Sequence, residues 1–127
     1  MKLLLDTNIF IVSILAPEAL SPQLAALLLD PNVERSVSVV SLWEIAVKVQ
    51  IGKLDLPMED SFYRRHLKAL QARVLPVEIS HSLGLFQLPQ IHKDPFDRLL
   101  VAQARSEGMI IATRDAILAR YPVETIY

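Results

Sequence analysis

The chain contains no cysteine. Disulfide staples and thiolate metal sites are therefore excluded, and a cytoplasmic location is permitted. No apolar run approaches the roughly 18 residues that a membrane span requires, so no membrane partner is expected. Asp6 comes too early for a signal-peptide core to precede it, and no leader is expected either. Basic charge is not in excess: 13 Lys and Arg stand against 14 Asp and Glu. A protein that holds nucleic acid through its overall field is basic, so any such partner here needs a bound metal and a local basic patch. None of the histidines pairs with another at zinc-binding spacing. No internal repeat, low-complexity tract or long linker divides the 127 residues, and a single domain over 1–127 is expected.

Hydrophobic residues make up 52% of the chain, which fits either a dense core or apolar surface kept for a partner. Residues 2–5 form an unbroken apolar run, as in a strand buried on both faces. Helices are expected over 9–15 and 21–29, the second capped by Ser21 with Pro22 in its first turn. A strand at 36–40 leads into a helix over 42–50 that Gly52 closes. Residues 59–72 are amphipathic, with Phe62, His66, Ala69 and Leu70 near one face. A strand at 73–77, helices at 80–86 and 96–106, a strand at 109–112, a short helix at 115–120 and a strand at 123–126 follow. Residues 89–95 read as an ordered loop. Strands alternating with helices predict an α/β sandwich of three layers around a mainly parallel sheet.

Four acids stand at or just past the ends of apolar segments: Asp6, Glu44, Asp97 and Asp115. Taken singly, each has a structural occupation. Asp6 and Asp115 can cap the helices that follow them. Asp94 can cap the helix begun by Pro95, with Asp97 reaching back in a capping box. Glu44 lies one turn before Lys48, so an exposed ion pair on a solvated stripe with Ser41 accounts for it. None of these occupations explains the shared address. The carboxyl ends of parallel strands lie along one edge of the sheet, and a helix N-terminus favours a carboxylate, so capping and ligation are compatible. Like charges in one crevice raise each other's pKa unless a cation joins them. A hard divalent ion with oxygen ligands suits such a cluster, and Mg²⁺ leads to phosphoryl chemistry.

Around the acids, Thr113 and Asn8 are placed either to bond a carboxylate or to satisfy their own turns. His92 and Lys93 lie in a polar loop within reach of a phosphate. His66 is expected packed or partly exposed, and His81 near the start of its helix.

Several stretches together resemble a PIN-domain ribonuclease of the VapC toxin type. They are Met1-Lys-Leu-Leu-Leu-Asp-Thr-Asn8, Val40-Ser-Leu-Trp-Glu-Ile-Ala-Val-Lys48, Gly52-Lys-Leu-Asp-Leu-Pro57, Asp94-Pro-Phe-Asp-Arg-Leu-Leu-Val-Ala-Gln-Ala104 and Ala112-Thr-Arg-Asp-Ala116. The resemblance spans essentially the whole chain in order, and its most specific phrase is 94–100. It implies a five-stranded sheet of order 3-2-1-4-5, with a crevice between the first and fourth strands. It places the acidic site on Asp6, Glu44, Asp97 and Asp115, with Thr113 beside the last acid and Asp94 as a cap or supporting group. Asn8 stands where relatives vary. The implied cofactor is Mg²⁺ or Mn²⁺ and the implied substrate RNA. Lys48, Lys93 and Arg98 are candidates for steering its backbone, although Arg98 can equally pair with an acid of its own domain. A small antitoxin and a homodimer are the implied protein partners; the apolar helices at 9–15 and 24–29 can offer a groove for the antitoxin tail and can equally be core. Rival readings are an RNA-processing PIN nuclease outside any toxin–antitoxin pair, a flap-type DNA nuclease, a small phosphatase, and a non-catalytic α/β binding module. This compact chain shows no insertion that would clamp a duplex.

Overall fold

The computed structural model describes residues 1–127. Strands β1 (Lys2–Leu5), β2 (Glu34–Ser38), β3 (Ala72–Leu75), β4 (Ile110–Ala112) and β5 (Thr125–Ile126) form one sheet in the order β3-β2-β1-β4-β5. Every pairing is parallel, so the expected α/β fold and strand order both hold. The helices are α1 (Thr7–Leu15), α2 (Pro22–Leu29), α3 (Val39–Gln50), α4 (Asp60–Ala69), α5 (Ile79–Gly84) and α6 (Pro95–Glu107).

The unbroken apolar run of β1 has its explanation in two cores. Successive side chains of a strand point to opposite faces. Leu3 and Leu5 enter a core with Ile9, Phe10, Leu24, Leu28, Tyr63 and Leu67. Leu4 enters the other, with Leu100, Val101, Ile111 and Leu118. Both faces are covered, as a parallel sheet requires. The chain runs outward from β1 through β2 to β3, then returns to the far side of β1 with β4. The order therefore reverses between β1 and β4, where Leu5 lies opposite Ala112 and the Asp6 amide donates to the Ala112 carbonyl at 3.0 Å. A crevice at the carboxyl ends of these two strands follows from the topology.

Several boundaries differ from expectation. β2 ends at Ser38 and α3 begins at Val39, where a strand to residue 40 and a helix from 42 were expected. The Ser38 hydroxyl accepts the Val40 amide at 3.0 Å, and this cap outweighs the strand preference of two valines. Residues 115–120 form no α-helix. Asp115 Oδ1 accepts the Ile117 amide at 2.9 Å, and a 3₁₀ turn follows at Leu118–Arg120. α4 stops at Ala69 because Gln71 takes a left-handed φ of 51°, and β3 therefore starts one residue early. The buried face of α4 carries Tyr63 and Leu67, a step round from the face read from the pattern. Pro95 and Gly108 frame α6 as expected, Gly108 with φ 66°.

One buried charge organises the β2 end of the molecule. Arg35 is 4% exposed, and its guanidinium donates to the carbonyls of Leu70, Leu27 and Asp30 at 2.7, 3.2 and 2.7 Å. It thus closes the C-terminal ends of α2 and α4 together. An Arg35→Met exchange fills similar volume but removes all three charge-assisted bonds, each worth about 1 kcal/mol; the Leu27 and Asp30 carbonyls keep only the amides of Asp30 at 3.4 Å and Val33 at 3.1 Å. Urea unfolding at pH 7 should show a loss of about 2–3 kcal/mol. A loss below about 0.5 kcal/mol would mean that water satisfies those carbonyls.

Candidate active site

At the crevice between β1 and β4 lies a cleft of about 460 Å³ whose walls carry Asp6, Glu44, Asp94, Asp97 and Asp115, with Ile11 as the single apolar member. The four acids singled out from sequence therefore share one cavity, together with Asn8 and Lys48. Each arrives by a local device. Asp6 follows β1 and caps α1, its Oδ1 accepting the Ile9 amide at 2.7 Å. Asp94 caps α6 by accepting the amides of Phe96 and Asp97 at 2.9 and 3.1 Å. Asp97 closes no capping box: its carboxylate turns to His92, whose Nε2 lies 3.2 Å from Oδ2. Asp115 follows β4, its amide donating to Thr113 Oγ1 at 3.0 Å.

Glu44 is not on a solvated stripe. Its side chain is 5% exposed, and Oε2 takes the Lys48 ammonium at 2.5 Å. Oε1 is buried and has no hydrogen-bond partner. Ser41, also read as part of that stripe, is fully buried and accepts a hydrogen bond from Thr7 Oγ1 at 2.9 Å. This bond ties α3 to α1 and holds Glu44 and Asp6 at the same cleft.

The electrostatics reflect crowding. Burial pushes the Asp6 carboxyl up; the Thr113 hydroxyl and Ile9 amide oppose this, while the charges of Asp115 and Glu44 add to it. Burial likewise pushes Asp97 up to about 6, with His92 opposing and the Asp94 and Glu44 carboxylates adding. The Lys48 ammonium is held above its ordinary range, chiefly by its bond to Glu44. An orphaned carboxylate oxygen among hard oxygen donors that repel one another fits a divalent cation. As the side chains stand, no three of the Asp, Glu and His groups are gathered tightly enough to hold an ion, and Glu44 leans on Lys48 instead.

Two expected helpers lie elsewhere. Arg98 and Lys93 line a separate shallow depression with His92 and Gln90. Arg98 Nη1 donates to the Pro89 carbonyl at 2.9 Å and the Tyr121 hydroxyl at 3.1 Å, which holds the guanidinium at that depression and away from the acidic cleft. Sequence reasoning passed over Arg114, which lines the cleft and donates from Nε to Asn8 Oδ1 at 2.9 Å. Its place between Thr113 and Asp115 was the available signal.

A doubly wound parallel sheet with acids converging at its switch point defines the class of α/β domain to which this molecule belongs. A model of the PIN domain matches residues 3–124, and the chain belongs to that family. Among solved structures it is similar to VapBC2 from Rickettsia felis bound to a promoter DNA fragment. The TM-score is 0.74 at 17% identity, over 99% of this chain and 98% of that one. DNA-bound VapBC from Salmonella typhimurium gives 0.65 at 17% identity, covering 99% and 97%. VapBC-1 from nontypeable Haemophilus influenzae gives 0.61 at 17% identity, again covering 99% and 97%. No curated protein matches the sequence.

Proposed function

We propose that this chain is a divalent-metal-dependent endoribonuclease and the toxin of a toxin–antitoxin pair. The observation that carries the reading is the buried, unpartnered Oε1 of Glu44 in a cleft shared with Asp6, Asp97 and Asp115. In this reading Asp6, Glu44 and Asp97 hold Mg²⁺ or Mn²⁺, with Asp115 completing the site. The ion supplies Lewis acidity toward a phosphodiester and its attacking water. The chain's own groups do the rest. A carboxylate with raised pKa accepts the water's proton, and Thr113 steadies Asp6 and Asp115. Lys48 and Arg114 bring positive charge to the cleft for the phosphate backbone, offsetting a net charge of −1. No helix is long and apolar enough to cross a membrane.

The partner reading draws on the similar structures, which are complexes of VapB with VapC by name. Here Ile9, Phe10, Leu24 and Leu28 are core, while Ile11, Val12, Ile14 and Leu27 are partly buried and Leu15 and Leu29 exposed, so α1 and α2 keep some apolar surface. A longer apolar stripe runs along α5 and the turn after it, with Ile79, Leu83 and Phe86 exposed. Such a stripe suits a protein partner, including a second copy of the chain.

Side-by-side assays with Mn²⁺ on RNA, single-stranded DNA and a generic phosphate ester test the activity. Cleavage of RNA alone, lost in Asp6→Asn, is expected. Equal cleavage of DNA or of the ester overturns the ribonuclease assignment. Absence of any Mn²⁺ binding by calorimetry favours the non-catalytic module.

A further inference from the structure

One side-chain chain at the cleft has no part in the reading above. Tyr121 is buried in the second core beneath the loop that carries His92. Its hydroxyl oxygen receives the Arg98 guanidinium at 3.1 Å and the His92 backbone amide at 3.4 Å. Both of those groups can only donate, and together they occupy the two lone pairs of the hydroxyl. The Tyr121 proton must therefore be given elsewhere. The remaining neighbour is His92 Nδ1, at 2.6 Å. Nδ1 is thus the acceptor nitrogen, and the ring proton sits on Nε2, which points to Asp97 Oδ2 at 3.2 Å. The Arg98 guanidinium also stacks over the Tyr121 ring at 5.9 Å, and the His92 and Tyr121 rings meet edge to face at 5.4 Å. The imidazole has one tautomer and one orientation available.

We propose that His92 is a positioning residue of the acidic site: anchored by Tyr121 and Arg98, it presents Nε2–H to Asp97 Oδ2 and fixes that carboxylate for a divalent ion. The proposal rests on the metal-site reading above. Asp97 Oδ2 is engaged by the imidazole, which leaves Oδ1 as the oxygen without a hydrogen bond. A ligating carboxylate whose rotamer is set in advance loses less freedom on binding, and removal of such a supporting partner commonly costs 10–100-fold in metal affinity. The arrangement also gives Arg98 its occupation, as the fixed end of the relay.

The test uses the full chain and Mn²⁺ alone, titrated by calorimetry at pH 8 against wild type, Asp97→Asn, His92→Ala, His92→Gln and Tyr121→Phe. His92→Ala should weaken Mn²⁺ about 10-fold or more. His92→Gln should recover most of the loss, because its amide N–H replaces the imidazole donor. Tyr121→Phe should fall between wild type and His92→Ala. Two-bond ¹⁵N–¹H spectra of the metal-free wild type should show His92 protonated at Nε2, and the Tyr121→Phe spectrum should show the two tautomers mixed. Wild-type affinity in His92→Ala, with binding lost in Asp97→Asn, overturns this proposal and leaves the metal site standing. Unchanged binding in Asp97→Asn overturns the metal reading itself. A wild-type spectrum with the proton on Nδ1 overturns the relay whatever the variants do.

Discussion

Replacing Asp97 by Asn is expected to end metal-dependent RNA cleavage and, in the same molecule, to make the metal-free fold more stable at neutral pH. The two effects share one origin. Burial and the neighbouring carboxylates of Asp94 and Glu44 push the Asp97 pKa from 3.8 to about 6. A folded-state value above the unfolded one means that the native protein binds the proton more tightly. That stabilisation is complete below about pH 4 and is lost as the pH rises through 6. At pH 7.5 the ionised side chain therefore costs the fold on the order of 2–3 kcal/mol. Asn keeps the shape and can still accept from His92 Nε2, but carries no charge. Urea unfolding in chelator should show Asp97→Asn more stable than wild type by about 2 kcal/mol at pH 7.5, the gain vanishing near pH 4. Cleavage should fall on the order of 10³-fold, the scale on which losing a group of a catalytic unit is felt. Undiminished cleavage by a highly purified variant would falsify the site assignment. A variant less stable than wild type at both pH values would show that Asp97 is an ordinary helix-start residue. Stability given up at a working site is a common trade in enzymes.

The same local rules explain what could and could not be read from the sequence. The apolar run of β1 and the Pro95–Gly108 frame of α6 are local signals, so these elements appear nearly where expected. Convergence of Asp6, Glu44, Asp97 and Asp115 was legible because a parallel sheet sends every strand end to one edge. The depth of Glu44 was not, because it depends on how α3 packs against α1, and neither was the start of α3. Val39 and Val40 carry a strand preference, and a single serine cap overrides it. The Thr7–Ser41 bond and the Tyr121–His92–Asp97 relay join residues far apart in the chain. No periodicity marks either. Arg98, a cation next to a key acid in the sequence, lies outside the acidic cleft, with its Nη1 bonded to Pro89 and Tyr121.

Mn²⁺ should raise the melting temperature strongly at pH 8 and clearly less at pH 5. An ion that binds only the native state stabilises it by RT ln(1 + [M]/Kd), about 2.7 kcal/mol at one hundred times Kd. For a chain of this size that corresponds to a shift on the order of 10 °C. Protons and the ion compete for the same oxygens. Asp97 titrates near 6 and Asp6 is also pushed up, so at pH 5 the Asp97 oxygens are mostly protonated and Asp6 is drawn toward the same state. Each proton displaced on binding weakens the apparent affinity about tenfold per pH unit in that range. For Asp97 only the unit between pH 6 and 5 counts, so its single proton lowers the affinity about tenfold and removes about half of the gain. Lys48 supplies a second lever. It provides the positive charge against which Glu44 is buried, so Lys48→Met should melt earlier without metal and regain more with Mn²⁺ than wild type does. A non-catalytic domain whose acids only start helices has no reason to behave this way. It would show the same melting temperature with and without Mn²⁺ at pH 8, and Lys48→Met would be destabilised with no recovery. The pH and Lys48 responses thus read the same carboxylates from opposite directions, by adding a proton and by withdrawing a cation. Only a site that exchanges one positive charge for another predicts both.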